Sequence, residues 1–97
     1  MVLAKVKEFL KELGINSEGL KLKDTEAIIH FSDSNAFSKA YTKLSNSDLV
    51  DLDIENVTVD EDGSHMLYMA DDYDIYLDAD YDTDKYTLTL QEVLGVK

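Results

Sequence analysis

The sequence has no cysteine, proline, tryptophan or arginine, and only two histidines. The lack of cysteine excludes a disulfide framework, a thiolate nucleophile and a zinc–thiolate site. The four glycines form no phosphate-binding loop, and Ser32, Ser34, Ser38, Ser45 and Ser47 lack the flanking glycines of a nucleophile elbow. His30 and His65 are therefore expected to be structural or surface residues. We predict that the protein is not an enzyme and needs no cofactor.

Long apolar runs are also missing. None approaches the roughly 20 residues that cross a bilayer, and lysines interrupt the N-terminal apolar pattern where a signal peptide has a continuous one. The 97 residues suffice for one domain, 1–97, and 44 % of them are apolar, which is typical of a chain that folds around a core. We expect a single cytoplasmic domain, a monomer or dimer, without membrane contact.

Positive charge is scarce in the second half of the chain. Residues 1–47 carry seven lysines and six acidic residues, whereas residues 48–97 carry two lysines and fifteen acidic residues, a net charge of −13. The net charge of the whole chain is −12. Such a surface repels the phosphates of nucleic acids and attracts basic partners or cations. We therefore expect that the protein does not bind nucleic acid directly.

Apolar residues at three- and four-residue spacing predict two helices, at 2–13 and at about 34–45. Gly14 is placed to end the first helix, and the polar residues 32–35 are placed to begin the second. Between the helices, residues 20–31 alternate in two pieces around 23–25, which predicts a hairpin.

The second half of the chain alternates with a period of two. Residues 49–59 predict a strand whose parity slips at Glu55 and Asn56, where one extra residue implies a bulge or a tight turn. The Asp-Gly turn at 60–64 predicts a returning strand at 65–70, followed by strands at 73–79 and 86–91. The expected fold is α+β, with two helices packed on a mainly antiparallel β-sheet in the order α-β-β-α-β-β-β(-β).

The apolar positions of these elements predict the core, because they repeat with the period of the helix or strand that carries them. They are Val6, Phe9, Leu10, Leu13, Ile29, Phe31, Phe37, Tyr41, Leu44, Leu52, Ile54, Val57, Val59, Ile75, Leu77, Leu88 and Leu90.

The strongest functional signal is a run of aspartates. From Asp72 to Asp84, every even position except Tyr76 is an aspartate. In an extended strand such positions share one face and stand roughly 6.7 Å apart, which is similar to the spacing of phosphates along a nucleic-acid strand. The run therefore predicts a row of carboxylates that imitates a phosphate backbone.

Other residues could complete this surface. A second row of carboxylates is expected from Asp51, Asp53, Glu55 and Asp60, or from the turn residues Glu61 and Asp62. Tyrosine is a frequent anchor of protein interfaces, and four tyrosines interleave with the carboxylates: Tyr68, Tyr73, Tyr76 and Tyr81. The residues predicted to bind a partner are Asp60, Glu61, Asp62, Asp71, Asp72, Asp74, Tyr76, Asp78, Asp80, Tyr81, Asp82 and Asp84.

Two other interpretations of the acidic run stay open. An acidic strand face can be the solvated side of a sheet, although like charges at neighbouring positions are destabilising and a solubilising surface normally mixes both signs. The run Asp78-x-Asp80-x-Asp82 is similar to the start of an EF-hand loop, but Thr83 stands where that loop needs glycine and Thr89 where it needs glutamate. We expect no specific metal site, and weak divalent-cation binding remains an alternative.

Small size, strong acidity, the lack of cysteine and the tyrosine-rich acidic run of residues 69–86, MADDYDIYLDADYDTDKY, are the features that carry a resemblance. The chain resembles the DNA-mimic inhibitor proteins of phages and mobile elements, among them anti-CRISPR and anti-restriction proteins. The resemblance implies an inhibitor that blocks the DNA-binding groove of a nuclease, such as a CRISPR effector, where lysine and arginine normally meet phosphates. An immunity protein or antitoxin that neutralises a basic nuclease toxin has the same electrostatics. A non-catalytic acidic interaction domain is the third possibility.

Overall fold

The computed structural model describes residues 5–93. They form two helices, α1 (Val6–Leu13) and α2 (Ser34–Ser45), and seven strands. The strands are β1 (Lys21–Lys23), β2 (Glu26–Phe31), β3 (Asp51–Leu52), β4 (Thr58–Val59), β5 (Gly63–Met69), β6 (Tyr73–Asp80) and β7 (Lys85–Glu92). A 3₁₀ helix, Ile54–Asn56, separates β3 from β4. Within 5–93, neither α1 nor α2 has the length and apolar character that a bilayer-spanning helix needs.

All seven strands belong to one sheet with the order β1-β2-β7-β6-β5-β3, and β4 also pairs with β5. Every pairing is antiparallel. The α+β fold expected from the sequence is therefore confirmed. The pairing of β2 with β7 joins the N-terminal hairpin to the C-terminal strands, so that β7 and β6 lie in the middle of the sheet.

The end of α1 and both ends of α2 lie where the sequence predicts them; α1 begins at Val6, after Lys5, and residues 2–4 of the predicted helix lie outside the described part of the chain. α1 ends at Gly14, which adopts a left-handed φ of 82° and donates a backbone hydrogen bond of 3.0 Å to Lys11. This conformation suits glycine because it has no Cβ. α2 begins after Asp33, whose carboxylate accepts a hydrogen bond of 2.9 Å from the backbone N–H of Ala36.

The helices cover one face of the sheet, here called the inner face. The rings of Phe9 and Tyr73 lie 4.9 Å apart, and those of Phe37 and Tyr86 lie 5.4 Å apart. A hydrogen bond of 2.9 Å joins the hydroxyls of Ser45 and Tyr68. Each helix thus contacts tyrosines of the inner face, and no helix of residues 5–93 covers the opposite, outer face.

The core lies between the helices and the inner face. Most of the predicted core positions are buried, while Phe9, Phe31 and Val57 pack against the core and are partly buried. Four predictions are wrong, because the side chains of Tyr41, Leu52, Ile54 and Val59 are exposed. The buried residues that the sequence prediction missed are Ile15, Ala27, Ala40, Val50, Met66, Tyr68, Tyr73, Ala79 and Tyr86.

The parity slip at Glu55 and Asn56 has a structural explanation. β3 and β4 both pair with β5, but the five residues 53–57 stand opposite only Met66 and Leu67. The 3₁₀ helix absorbs the extra residues, so the predicted tight turn is present and holds three additional residues where one was expected. As a result, β3 and β4 are only two residues long and form the edge of the sheet.

Candidate interaction surface

Two acidic turns lie side by side at one end of the sheet. One connects β4 to β5 and the other connects β6 to β7, and the backbone N–H of Tyr81 donates a hydrogen bond of 2.8 Å to the carbonyl oxygen of Asp62. Tyr81 is 43 % exposed. We call the two turns together the paired acidic turns, and their acidic residues are Asp60, Glu61, Asp62, Asp80, Asp82 and Asp84. Half of the twelve predicted partner-binding residues are thus brought together with Tyr81.

Each turn is shaped by its first aspartate. The Asp60 carboxylate accepts hydrogen bonds from the backbone N–H groups of Asp62 and Gly63, at 2.9 and 3.1 Å. The Asp80 carboxylate accepts in the same way from Asp82 and Thr83, at 3.1 and 3.4 Å. Such short local bonds are the reason why aspartate favours turns. Asp60 and Asp80 therefore have a structural role in addition to their charge.

A seventh carboxylate that the sequence prediction missed lies near the same end. The hydroxyl of Tyr86 donates a hydrogen bond of 3.5 Å to Asp84. Burial is the main cause that raises the pKa of the Tyr86 hydroxyl, Asp84 adds to it, and the carboxylate of Asp33 contributes as well. Asp33 begins α2, so its proximity arises from helix placement. In the sequence, Asp33 was recognisable only as a residue that could begin a helix.

The outer face of β6 carries the middle of the predicted row. Asp74, Tyr76 and Asp78 alternate there with the buried residues of the inner face. Asp78 is aligned with His65 of β5, and its carboxylate lies within hydrogen-bond distance of Nδ1 of the imidazole. The His65 ring also stacks against Tyr76 with centroids 6.0 Å apart. The side chain of His65, expected to be a surface residue beside the turn, is 45 % exposed and contacts Asp78 and Tyr76 on the outer face.

The predicted row does not continue as one straight line. Asp82 and Asp84 follow the end of β6 and lie in the turn, and Asp84 has a left-handed φ of 53°. Asp71 and Asp72 precede β6 at the other end of the sheet, where the N–H of Val93 donates a hydrogen bond of 3.0 Å to the Asp72 carbonyl. A strand of eight residues separates the two ends by roughly 23 Å. The predicted row is therefore divided, with six acidic residues in the paired acidic turns and Asp71 and Asp72 at the opposite end of the sheet.

Two of the four tyrosines expected to anchor a partner are buried. Tyr68 is 1 % and Tyr73 2 % exposed, both on the inner face. Burial raises the pKa of each hydroxyl; the hydrogen bond with Ser45 opposes the shift at Tyr68, whereas Asp72 and Glu92 add to it at Tyr73. The prediction that these two side chains interleave with the carboxylates on one surface is therefore wrong. Tyr76 and Tyr81 remain accessible.

The expected second row of carboxylates divides in two. Glu61 and Asp62 lie beside Tyr81, whereas Asp51 lies on the edge strand, aligned with Met69 of β5. The carboxylate of Asp53 accepts hydrogen bonds within the 3₁₀ segment, from the backbone N–H of Glu55 and the side-chain amide of Asn56. The turn residues Glu61 and Asp62, and not those of the edge strand, therefore adjoin the turn that holds Asp80 and Asp82.

The carboxylates of the described residues lack lysine partners. Among residues 5–93, the imidazole of His65 beside Asp78 is the only basic group within 4.0 Å of a carboxylate oxygen, and no lysine nitrogen of that stretch lies so close. In the same part of the chain, no three histidine or acidic side chains form a group that could hold a metal ion. A cleft of about 740 Å³ lies elsewhere, between the loop after α1 and α2, and Lys39 and Lys43 line it.

Comparison of the chain with protein-family models, with curated proteins and with solved structures finds no match.

Proposed function

We propose that the protein is an inhibitor that mimics nucleic acid and blocks the DNA-binding groove of a basic nuclease, such as a CRISPR effector. The observation that supports this proposal is the position of the paired acidic turns, held side by side through Tyr81 and Asp62. A groove that normally binds phosphates with lysine and arginine offers the complementary charge.

The dimensions of the turns are compatible with this role. Each turn belongs to a pair of strands, and the middles of the two pairs are separated by two strand spacings, roughly 10 Å. The major groove of DNA, which separates two rows of phosphates, is about 12 Å wide. Two acidic turns centred at this separation place negative charge in two neighbouring groups at one end of the sheet.

The lack of lysine partners also favours a binding role over mere solubility. Carboxylates gathered at adjacent positions repel each other by up to roughly 1 kcal/mol for each close pair. A soluble surface can avoid this cost by mixing both signs of charge. Within the described residues the acids of the turns have no lysine partner within 4.0 Å. The repulsion would be relieved when a basic groove covers them.

The experiment compares two triple variants of equal charge. The turn variant is Glu61→Gln, Asp62→Asn and Asp82→Asn, three residues whose carboxylates make no hydrogen bond to other residues of the described chain. The control variant is Glu8→Gln, Glu12→Gln and Glu18→Gln, which removes three charges from the region of α1. Each protein is immobilised and exposed at low salt to a lysate of the source cells, and bound nuclease is eluted with duplex DNA.

We expect the wild type and the control variant to retain a nuclease that duplex DNA and added salt both release, and we expect the turn variant to retain less. The purified protein should also fail to shift duplex DNA in a gel, because its own charge repels phosphates. Equal retention by the turn variant would contradict the proposal. A nuclease that salt releases but duplex DNA does not would favour the immunity-protein alternative.

A further inference from the structure

The edge of the sheet exposes more large apolar side chains than any other segment of residues 5–93. Leu52 is 42 %, Ile54 80 % and Val59 67 % exposed. Together with Leu49 and Met69, they account for five of the eight exposed large apolar side chains in this part of the chain. Single exposed apolar residues are normal on a protein surface, but a contiguous group is typical of an interaction site.

The register of the strands places two of these side chains, Leu52 and Val59, on one side of the edge, whereas Met69 is aligned with Asp51 and belongs to the outer face. Leu52 is aligned with Tyr68 and Val59 with Ser64, so both belong to the inner face, beyond β5. Ile54 lies between them in the 3₁₀ helix. We call Leu52, Ile54 and Val59 the edge patch. The hydroxyl of Ser64, in the row of Val59, is buried and has no hydrogen-bond partner within the described chain.

The charge around the edge patch indicates what can cover it. No lysine occurs between residues 48 and 84, and four acidic residues alternate with the patch along the chain: Asp51, Asp53, Glu55 and Asp60. A second copy of this edge would bring carboxylates against carboxylates, which is destabilising. The opposite edge of the sheet differs, because Lys21 and Lys23 flank the exposed Leu22 there.

We propose that the edge patch binds an extended basic segment of the partner in which lysine or arginine alternates with apolar residues. This proposal rests on the proposed function, because the patch continues at Asp60 into the paired acidic turns. In β3, Asp51 and Leu52 point to opposite faces of the sheet. An extended neighbour with a period of two can therefore direct its basic side chains toward Asp51 and its apolar side chains toward Leu52 and Val59.

The test uses two synthetic peptides of equal length and charge, one alternating lysine with valine and the other lysine with serine. Each is titrated against the full chain at about 0.15 M salt. We expect the wild type to bind the lysine–valine peptide about tenfold or more tightly than the lysine–serine peptide, because burial of a single Ile or Val side chain is worth about that factor. Equal binding of the two peptides would overturn the inference.

Substitutions in the edge patch test whether this patch causes the preference for the lysine–valine peptide. Ile54→Ser combined with Val59→Thr should abolish the preference for the lysine–valine peptide without changing the thermal melt, because both side chains are exposed. The matched control, Leu22→Ser at the opposite edge, should keep it. A preference that persists in the Ile54→Ser, Val59→Thr variant, or a concentration-dependent dimer that this variant dissociates, would contradict the inference.

The turn variant separates the two proposals. It should weaken the binding of both peptides and preserve the preference between them, because the three substitutions remove charge and leave the edge patch unchanged. If nuclease retention is unaffected by the turn variant, the proposed function fails whatever the peptides show. If retention depends on the turns but the wild type does not distinguish the peptides, only the inference about the edge patch fails.

Discussion

A Cβ atom on Gly63 would lie 2.2 Å from the carbonyl oxygen of Ala79. Gly63 begins β5 and is aligned with Asp80 at the end of β6, so the close approach occurs where the two acidic turns meet. The obstructing atom belongs to the backbone and cannot move aside as a flexible side chain could. The paired acidic turns therefore need glycine at position 63, because any side chain there would collide with the backbone of β6.

Gly63→Ala should lower the free energy of unfolding by about 1–3 kcal/mol, the usual cost of forcing atoms into a packed site. It should also reduce the hydrogen-exchange protection of the Tyr81 amide, which bonds to Asp62. The control is Gly19→Ala, where φ is +80° but the space is open, so it should lose stability and keep that protection. Unchanged protection of Tyr81 in the Gly63 variant would contradict this explanation.

Leu77→Ala should lower the free energy of unfolding by about 2–5 kcal/mol because it leaves a cavity in the core. Leu77 is fully buried in β6, in the middle of the sheet. Ile54→Ala removes a side chain of similar size that is 80 % exposed and should cost less than about 0.5 kcal/mol. Urea denaturation of both variants measures the difference. Similar losses would mean that Ile54 is buried in solution.

Stability should fall as the pH rises above about 10, the ordinary pKa of tyrosine. Burial raises the pKa values of Tyr68, Tyr73 and Tyr86 in the folded chain. In that range the unfolded chain has lost tyrosine protons that the folded chain retains, so the free energy of unfolding decreases with pH. The contribution of these three tyrosines to stability is fully present below about pH 10. It is lost as the pH rises through their raised pKa values.

Urea midpoints across the alkaline range, together with the ultraviolet absorbance of tyrosinate, measure this dependence. Tyr68→Phe removes one of the three hydroxyls and its hydrogen bond with Ser45. The variant should be less stable at neutral pH, by about 1 kcal/mol, and its stability should decline less steeply with pH. A decline as steep as in the wild type would show that Tyr68 does not contribute.

Added salt should stabilise the protein. The carboxylates repel each other and, within residues 5–93, have no lysine partners, so screening removes more repulsion than attraction. The unfolding midpoint should rise between about 0.01 and 0.3 M monovalent salt, as the Debye length falls from about 30 Å to below 10 Å. The turn variant should respond less than the wild type. A midpoint that falls over this range would indicate stabilising ion pairs.

Periodicity predicted most of the elements from the sequence. The helix expected at 34–45 is Ser34–Ser45, and the strand expected at 73–79 is Tyr73–Asp80. Each depends on a local pattern of apolar residues that only one type of element can bury. The same patterns did not show which strands form the edge. Leu52 and Val59 alternate as core residues do, yet they are exposed because no strand of residues 5–93 lies beyond β3 and β4.

The sequence predicted which acidic residues belong to the candidate surface, but it did not predict how they are arranged in space. The aspartates of residues 72–84 are visible as a run, whereas the join between the two turns depends on Tyr81 and Asp62, which are distant in sequence. The sequence also did not show which tyrosine side chains share the exposed face with the carboxylates. Tyr68 and Tyr73 stand beside acidic residues in the sequence, but their alternation places them beneath the helices, and only the position of the helices decides which face of a strand is covered.

The sequence by itself determined the net charge, its concentration in residues 48–97 and the order of the helices and strands, because these depend on composition and on local periodicity. Only the tertiary structure decided which carboxylates are neighbours. Distances between turns depend on strand order and register, which arise from contacts between residues far apart in the chain. Those contacts bring Asp62 to Tyr81, pair Asp78 with His65 and leave Ile54 exposed.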